Sequence, residues 1–235
     1  MPPVETSPIT SAPIMPPYLP ELKGKELTLV LDLDETLVHS SIEEIPNYDL
    51  KVQLKVNSSD VTIYVLVRPF TFEFLEKVSE HYEIVIFTAS IKSYANPVID
   101  FIDRSRVVTG RLYRSECINY NGNFIKNLSS LGRDLKKVVI VDNSPLSYIF
   151  HPNNALPITS WFEDKNDNKL LEILNILQVL STTDDIPEIL KKIKNSCLEI
   201  SSTSIDAAVD QYNVGRSVLN SPKPGEPAKF EFREN

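Results

Sequence analysis

Three short runs of apolar, largely β-branched residues constrain the fold more than anything else in the chain: Leu27-Thr-Leu-Val-Leu-Asp-Leu, Glu83-Ile-Val-Ile-Phe-Thr and Lys137-Val-Val-Ile-Val-Asp. Each is too short for a buried helix and lacks polar alternation, the pattern of a strand covered on both faces. Helix-spaced apolar sets lie around them: Phe70, Phe74, Leu75 and Val78 before the second run, Tyr94, Val98 and Ile102 after it, and Leu170, Leu171, Leu174, Leu177 and Leu180 further on. Asp185, just ahead of Pro187, marks the N-cap of one more short helix. Strands that alternate with helices pair in parallel, so the pattern predicts an α/β domain with a central parallel sheet flanked by helices. One stretch breaks the rhythm. Tyr48-Asp-Leu-Lys-Val-Gln-Leu-Lys-Val and Val61-Thr-Ile-Tyr-Val-Leu-Val alternate with period two around Asn57-Ser-Ser-Asp, which predicts a small β-hairpin insertion. Ile158-Thr-Ser-Trp-Phe reads as a core strand rather than a binding platform.

Proline marks the ends of the folded part. Seven of the 17 prolines fall in the first twenty residues, where fixed φ and missing N–H donors exclude helix interiors and central strands. Residues 1–22 therefore read as a Pro-rich tail, 23–194 as the folded domain and 195–235 as a mostly flexible C-terminal tail with a short helix over 205–209. The chain carries 24 Lys+Arg against 32 Asp+Glu, a net charge of −8 that argues against general adhesion to nucleic acid. Its sequence has no run near the ~20 apolar residues of a membrane-spanning helix. Cys117 and Cys197 are too few for a disulfide framework or a four-thiolate metal site, in keeping with a reducing compartment. A soluble intracellular protein, nuclear or cytoplasmic, is the expectation.

Each buried run ends in polar groups that converge at the carboxyl edge of a parallel sheet, where open α/β folds bind ligands. The first ends in Asp32-Leu-Asp-Glu-Thr. Carboxylates two apart on an extended chain share a side, and their repulsion is relieved by a hard divalent ion such as Mg²⁺; a solvated acidic loop is the alternative. The second ends in Thr88-Ala-Ser, whose hydroxyls and free N–H groups suit an anion at a helix start, although Thr and Ser are also ordinary N-caps. The third ends in Asp142-Asn-Ser-Pro, which adds oxygen ligands, and Lys126 follows a turn at Asn121-Gly-Asn. Together and in this order, the groups describe a phosphate site. An aspartate nucleophile takes the phosphoryl group, cations spread its charge, and a second carboxyl handles the proton of the leaving group and the water.

At this point the sequence resembles a known family. Asp32-Leu-Asp-Glu-Thr-Leu-Val-His-Ser, Val67-Arg-Pro, Phe87-Thr-Ala-Ser, Tyr94-Ala-Asn-Pro, Arg114-Ser-Glu-Cys, Lys126-Asn-Leu-Ser-Ser-Leu-Gly-Arg-Asp-Leu, Val141-Asp-Asn-Ser-Pro and Phe150-His-Pro-Asn-Asn-Ala are similar to motifs of the small phosphatases of the RNA polymerase II C-terminal domain. These form a branch of the haloacid dehalogenase superfamily, and the resemblance covers roughly residues 25–190. It implies a Rossmann-like fold and a Mg²⁺-dependent phosphoserine or phosphothreonine protein phosphatase that works through an aspartyl-phosphate. On that resemblance Asp32 is the nucleophile and a metal ligand. Asp34 is the general acid/base and ligates Mg²⁺ through its backbone carbonyl, while Asn143 is a ligand and Asp142 holds metal-bound water. Thr36, Thr88 and Lys126 hold phosphate, and Arg114 contacts the phosphopeptide. Ile42, Leu54, Val56, Ile63 and Ile91, with Tyr94 on the same side, fall on positions of an apolar pocket for a substrate proline.

The expected substrate is a phosphorylated protein or peptide, with the polymerase tail as the favoured example and the enzyme acting as a monomer. A nuclear-envelope branch that acts on lipid-regulating proteins is an alternative; its members usually carry an N-terminal membrane segment, and residues 1–25 contain none. A receiver-type signalling domain, phosphorylated once without turnover, is another. Receivers place the phospho-acceptor on a later strand, whereas here nucleophile, acid/base and hydroxyl share one strand end, and a dedicated acid/base is needed only for turnover.

Overall fold

The computed structural model describes residues 16–22, 24–56 and 59–200. In chain order its elements are β1 (Leu27–Leu31), β2 (Val38–Ser41), β3 (Leu50–Val56), β4 (Ser59–Val67), α1 (Thr71–Val78), β5 (Tyr82–Phe87), α2 (Lys92–Ile102), β6 (Val108–Leu112), β7 (Ile118–Tyr120), β8 (Asn123–Ile125), β9 (Val138–Asp142), β10 (Ala155–Pro157), α3 (Lys169–Leu180) and α4 (Ile186–Ile200). The chain divides into two units, residues 1–191 and 192–235; among the described residues, the first holds every strand and the site described below. Among the described residues no helix is long and apolar enough to cross a membrane.

The three apolar runs form the middle of a five-stranded parallel sheet in the order β10-β9-β1-β5-β6. Side chains on a strand alternate between faces, and here both faces are buried. Leu29, Leu31, Ile84, Ile86, Val139 and Val141 pack into one core with α1, α2 and α3, while Val30, Val85, Phe87, Val138 and Ile140 pack into a second. The second core is covered by short turns, through Leu128, Leu131 and Tyr148, and by Leu19 from the Pro-rich segment.

That segment corrects the tail reading at its inner end. The Tyr18 N–H donates to the Ser130 carbonyl at 2.8 Å, and Leu19 is only 5% exposed. A Cβ on Gly110, in the middle of β6, would lie 2.9 Å from Leu19 Cδ2, which explains a glycine inside a strand. At the other end, α4 runs through Ile200, so a boundary at residue 195 falls inside a helix. Asp185 does cap that helix, its carboxylate accepting from the Glu188 N–H at 3.2 Å. The helix expected over residues 205–209 lies outside the described residues.

Other differences have local causes. The inserted hairpin β3–β4 gains a third strand, because β2 pairs antiparallel with β4 directly after the first strand end. Phe70 is not on the face of α1 but is its N-cap, at φ 69° and 42% exposed. On α3, Ile173 rather than Leu171 joins the buried face. The strand near Trp161 is Ala155–Pro157 instead of the run from Ile158 onward. Trp161 is buried in an irregular loop, its N–H donating to the Glu35 carbonyl at 2.8 Å and its indole Nε1 to the Asp164 carbonyl at 2.7 Å.

The same loop is fastened by Arg68, which is 1% exposed. Its Nε and Nη2 donate to the two oxygens of Asp167 at 2.8 and 2.9 Å, and Nη1 donates to the carbonyls of Thr36 and Thr159 at 3.1 and 3.2 Å. A guanidinium taken this far from water is tolerable only when paired in this way. Burial raises the Asp167 carboxyl, but the bonds and charge of Arg68 outweigh it, so its pKa lies below the ordinary carboxylate value. A group depressed in the folded state stabilises above the unfolded pKa of about 3.9 and loses that contribution as pH falls further. Asp167→Asn is therefore expected to cost about 3 kcal/mol at neutral pH by stranding the buried cation. In urea unfolding, the gap from the parent chain should narrow below about pH 4; a gap independent of pH would contradict the ion-pair account.

Candidate active site

The register of the central sheet assembles the site. Leu31 pairs with Val141 across β1 and β9, and the Asp32 N–H donates to the Val141 carbonyl at 3.0 Å, so Asp32 and Asp142 stand side by side where these strands end. From β1 the chain reaches β5 and β6 on one flank and β9 and β10 on the other. The crevice at such a reversal is where open α/β sheets bind ligands.

Lys126 lies between the two carboxylates. It is 1% exposed, and its Nζ donates to Asp32 Oδ1 at 2.5 Å and Asp142 Oδ2 at 2.6 Å. Burial pulls the Lys126 pKa down, but the two carboxylates more than offset this and keep it protonated. Burial likewise pushes the Asp142 carboxyl up, against the opposing charge of Lys126. Asp32 Oδ2 accepts from the Thr36 hydroxyl at 3.0 Å, and Asp142 Oδ1 from the Ser144 N–H at 2.8 Å.

A tight turn brings Thr36 back onto Asp32. Glu35 adopts φ 58°, a left-handed conformation that costs a non-glycine residue roughly 1–3 kcal/mol. Bonds on both sides hold it there: its N–H donates to the Val38 carbonyl at 2.7 Å, and its carbonyl accepts from Trp161.

Asp34 points to a different set of partners. Its Oδ1 accepts from Tyr94 Oη at 2.7 Å, and its Oδ2 from Ser90 Oγ at 2.7 Å and Thr88 Oγ1 at 3.3 Å. Burial, and then the charge of Glu35, raise its pKa to about 6 despite the bonds from Tyr94 and Ser90. The two carboxyls read from sequence as one projecting pair thus have separate environments. Thr88 and Ser90 belong to the loop ahead of α2, whose N-cap is Ile91, and not to the cap itself. The Ser90 N–H donates to Thr88 Oγ1 at 3.0 Å.

Asn143 joins the acidic set through Oδ1, which lies 3.4 Å from the Thr36 hydroxyl, while its Nδ2 donates to Ser160 Oγ at 2.9 Å. Among the described residues no group of three or more His, Cys, Asp or Glu side chains is arranged as a metal site. The donor set at the strand ends is mixed instead: the carboxylates of Asp32 and Asp142 and the amide oxygen of Asn143 lie beside the turn from Asp32 to Thr36. All are hard oxygen donors, which suits a small divalent cation that keeps part of its water shell.

The profile of the NLI interacting factor-like phosphatase family matches residues 27–187. The chain belongs to this family. It is 50% identical over 184 residues to a probable C-terminal domain small phosphatase of Dictyostelium discoideum, covering 78% of this chain and 60% of that protein. It is 48% identical over 171 residues to the carboxy-terminal domain RNA polymerase II polypeptide A small phosphatase 2 of Mus musculus, covering 72% of this chain and 63% of that protein. The chain thus spans less than two-thirds of the length of these relatives. Among solved structures, the fission yeast RNA polymerase II CTD phosphatase Fcp1 bound to beryllium fluoride matches at a TM-score of 0.50, over 74% of this chain and 56% of that one, with 22% identity. That likeness is one of fold and agrees with the haloacid dehalogenase architecture.

In this phosphatase-family chain the remaining expected residues are spread along the rim. Arg114 Nε donates to the Ala89 carbonyl at 2.7 Å, and its guanidinium lies 4.9 Å from the Phe124 ring centre, beside the loop that carries Thr88 and Ser90. Leu54, Ile63 and Ile91 are half-buried and pack against the main core, Val56 ends β3, and Ile42 is 74% exposed just past β2. Tyr94 departs from the pocket reading: it is 5% exposed, and its hydroxyl is engaged with Asp34. Sequence reasoning gave no site role to Arg68, Ser160 or Asp167, since each reaches the site through contacts more than fifteen residues away in sequence. The one available signal was Val67-Arg-Pro, where an arginine ends an apolar strand.

Lys126→Met keeps the length of the side chain and removes its charge, leaving two adjacent buried carboxylates. The expected cost is about 3–5 kcal/mol of unfolding free energy in metal-free buffer. Adding Asp142→Asn to that variant should recover part of the loss; no recovery would show that repulsion between Asp32 and Asp142 is not what Lys126 relieves.

Proposed function

We propose that the chain is a Mg²⁺-dependent protein phosphatase that removes phosphate from phosphoserine in extended, proline-containing segments, of which the RNA polymerase II C-terminal domain is the favoured example. The observation that carries this reading is the setting of Asp32, buried at the edge of the sheet and held by Lys126 and Thr36, with the second carboxyl, Asp34, on the same turn but bonded elsewhere. A carboxylate fixed on both oxygens beside a permanent cation suits a nucleophile, and a separately held carboxyl suits an acid. Family membership and the names of the relatives support the same reading.

In the proposed reaction Asp32 attacks phosphorus. The bond to the serine oxygen breaks, and that oxygen takes a proton from Asp34, leaving an acyl phosphate on Asp32. Water then attacks the phosphorus and gives its proton to Asp34, and the Asp32 carboxylate is regenerated with release of inorganic phosphate. Lys126 and the Thr88 hydroxyl would lie beside the phosphoryl oxygens and offset their charge. Asp32, Asn143 and the Asp34 carbonyl would hold Mg²⁺, with Asp142 acting through water. When bound, the ion supplies the positive charge that lets an anionic nucleophile approach an anionic phosphate. Arg114, on the loop beside Ser90, would meet the peptide flanking the phosphate.

Hydrolysis of an aryl phosphate should require Mg²⁺, stop on addition of EDTA, and fall by roughly three orders of magnitude in Asp32→Asn. Full activity of that variant would remove Asp32 from the nucleophile's role. For the substrate, polymerase-tail peptides phosphorylated at one serine each, with the adjacent proline kept or changed to alanine, should differ about 10-fold in kcat/KM in favour of proline, the size of one apolar pocket contact. Equal rates would remove the proline pocket formed by Leu54, Ile63 and Ile91 while leaving the phosphatase reading intact.

A further inference from the structure

Asp34 has more support than a general acid needs simply to be present. The segment between β5 and the first turn of α2 supplies three hydroxyls to one carboxyl: Tyr94 Oη to Oδ1 at 2.7 Å, Ser90 Oγ to Oδ2 at 2.7 Å, and Thr88 Oγ1 to Oδ2 at 3.3 Å. Thr88 has a part in the reaction as a phosphate-holding group. Ser90 and Tyr94 have none in the proposed reaction, yet each spends its hydroxyl on Asp34.

We propose that Ser90 and Tyr94 are positioning residues that fix the rotamer and plane of the Asp34 carboxyl and thereby assign different tasks to its two oxygens. The inference rests on the phosphatase reading above. Tyr94 is buried, with its ring in the main core and its hydroxyl donating to Asp34. In the proposed arrangement its O–H stays directed at Oδ1 and keeps that oxygen an acceptor. The proton then belongs on Oδ2, the oxygen shared with Thr88 on the side of the phosphate-holding loop.

Ser90 and Thr88 do not obstruct this, because an aliphatic hydroxyl can rotate its O–H away and accept or stand aside. When Oδ2 carries the proton, it passes it to the serine oxygen as the phosphorus–oxygen bond breaks. When the acyl phosphate on Asp32 is hydrolysed, Oδ2 takes the proton of the attacking water. Two donors on opposite oxygens leave the carboxyl one orientation. Misplacement of a reacting group by about 1 Å can cost as much as 100-fold in rate.

The assignment separates from a merely structural role through the leaving group. An alkoxide must be protonated as it departs, whereas p-nitrophenolate leaves without help. Ser90→Ala and Tyr94→Phe should each lower kcat/KM, which reports transfer of the phosphoryl group to Asp32 and not the later hydrolysis, by about 10- to 100-fold on a phosphoserine peptide and by less than about 3-fold on p-nitrophenyl phosphate. Ser90→Thr, which keeps a hydroxyl, should restore most of the peptide rate. In an Asp34→Asn background neither substitution should add a further loss on the peptide, since there is no acid left to position. Equal losses on both substrates, or losses that add to that of Asp34→Asn, would overturn the inference. Thermal unfolding of each variant identifies a folding defect, and Ser90→Ala, at a half-buried loop position, carries the test if Tyr94→Phe unfolds. A parent chain that hydrolyses neither substrate would sink the phosphatase reading itself; an active parent with no leaving-group split in its variants would sink only this inference.

Discussion

A protonated lysine buried between two aspartates is the interaction on which the rest of the site depends. Lys126 bonds Asp32 and Asp142, which the pairing of β1 with β9 sets side by side at the end of adjacent strands. Without the ammonium the two carboxylates would repel by about 4 kcal/mol at 4 Å and an effective dielectric of 20, on top of the cost of removing each from water. With it they form a compact set with one net negative charge, and a divalent cation and a phosphate can add to that set without leaving a large unbalanced charge. The same Lys126 is anchored by its N–H to the Ser147 carbonyl at 2.7 Å, which ties the loop after β8 to the loop after β9.

Around that centre the site is made rigid from below and from the side. Arg68 holds the turn after Asp32 through the Thr36 carbonyl and fastens the Thr159 and Asp167 loops to it, while the Trp161 N–H holds the strained Glu35. Ser160, between these two anchors, meets the Asn143 amide. Three consecutive residues, Thr159, Ser160 and Trp161, thus touch Arg68, Asn143 and Glu35 in turn. Strain at Glu35 persists because the surroundings over-determine it, and it keeps Thr36 folded back on Asp32. On the opposite flank the loop ahead of α2 contributes Thr88 and Ser90, and α2 contributes Tyr94, so the three hydroxyls bonded to Asp34 come from one short segment.

The inserted sheet shows how far a local pattern reaches. Period-two alternation found β3 and β4 because half-buried strands expose one face to water and the other to the core. It did not find β2, whose four residues Val38-His-Ser-Ser have no apolar alternation and owe their extended state to pairing with β4. The short edge strand β10 was missed for the same reason, and Trp161 was placed on a strand because an apolar run in a buried loop cannot be told from one by periodicity alone. Leu19 lay inside a segment whose prolines signalled extension correctly; nothing local indicated that a groove beside Gly110 would receive it.

By itself the sequence determined the parallel α/β sheet, its strand-end polar groups and the family to which they belong, because buried strands need unbroken apolar runs and phosphate chemistry needs carboxylates, hydroxyls and a cation at their ends. What only the tertiary structure decided is which of those groups touch. Asp32 and Asp142 are neighbours by sheet register, Lys126 reaches both from a loop, and Asp34, two residues from Asp32, turns instead to Ser90 and Tyr94. Tyr94 accordingly moved from an expected pocket wall to the hydroxyl that holds a carboxyl. The reason is physical: composition and spacing fix which face of an element is apolar, but pairing between charged groups far apart in sequence is set by strand register and loop closure, which no local window contains.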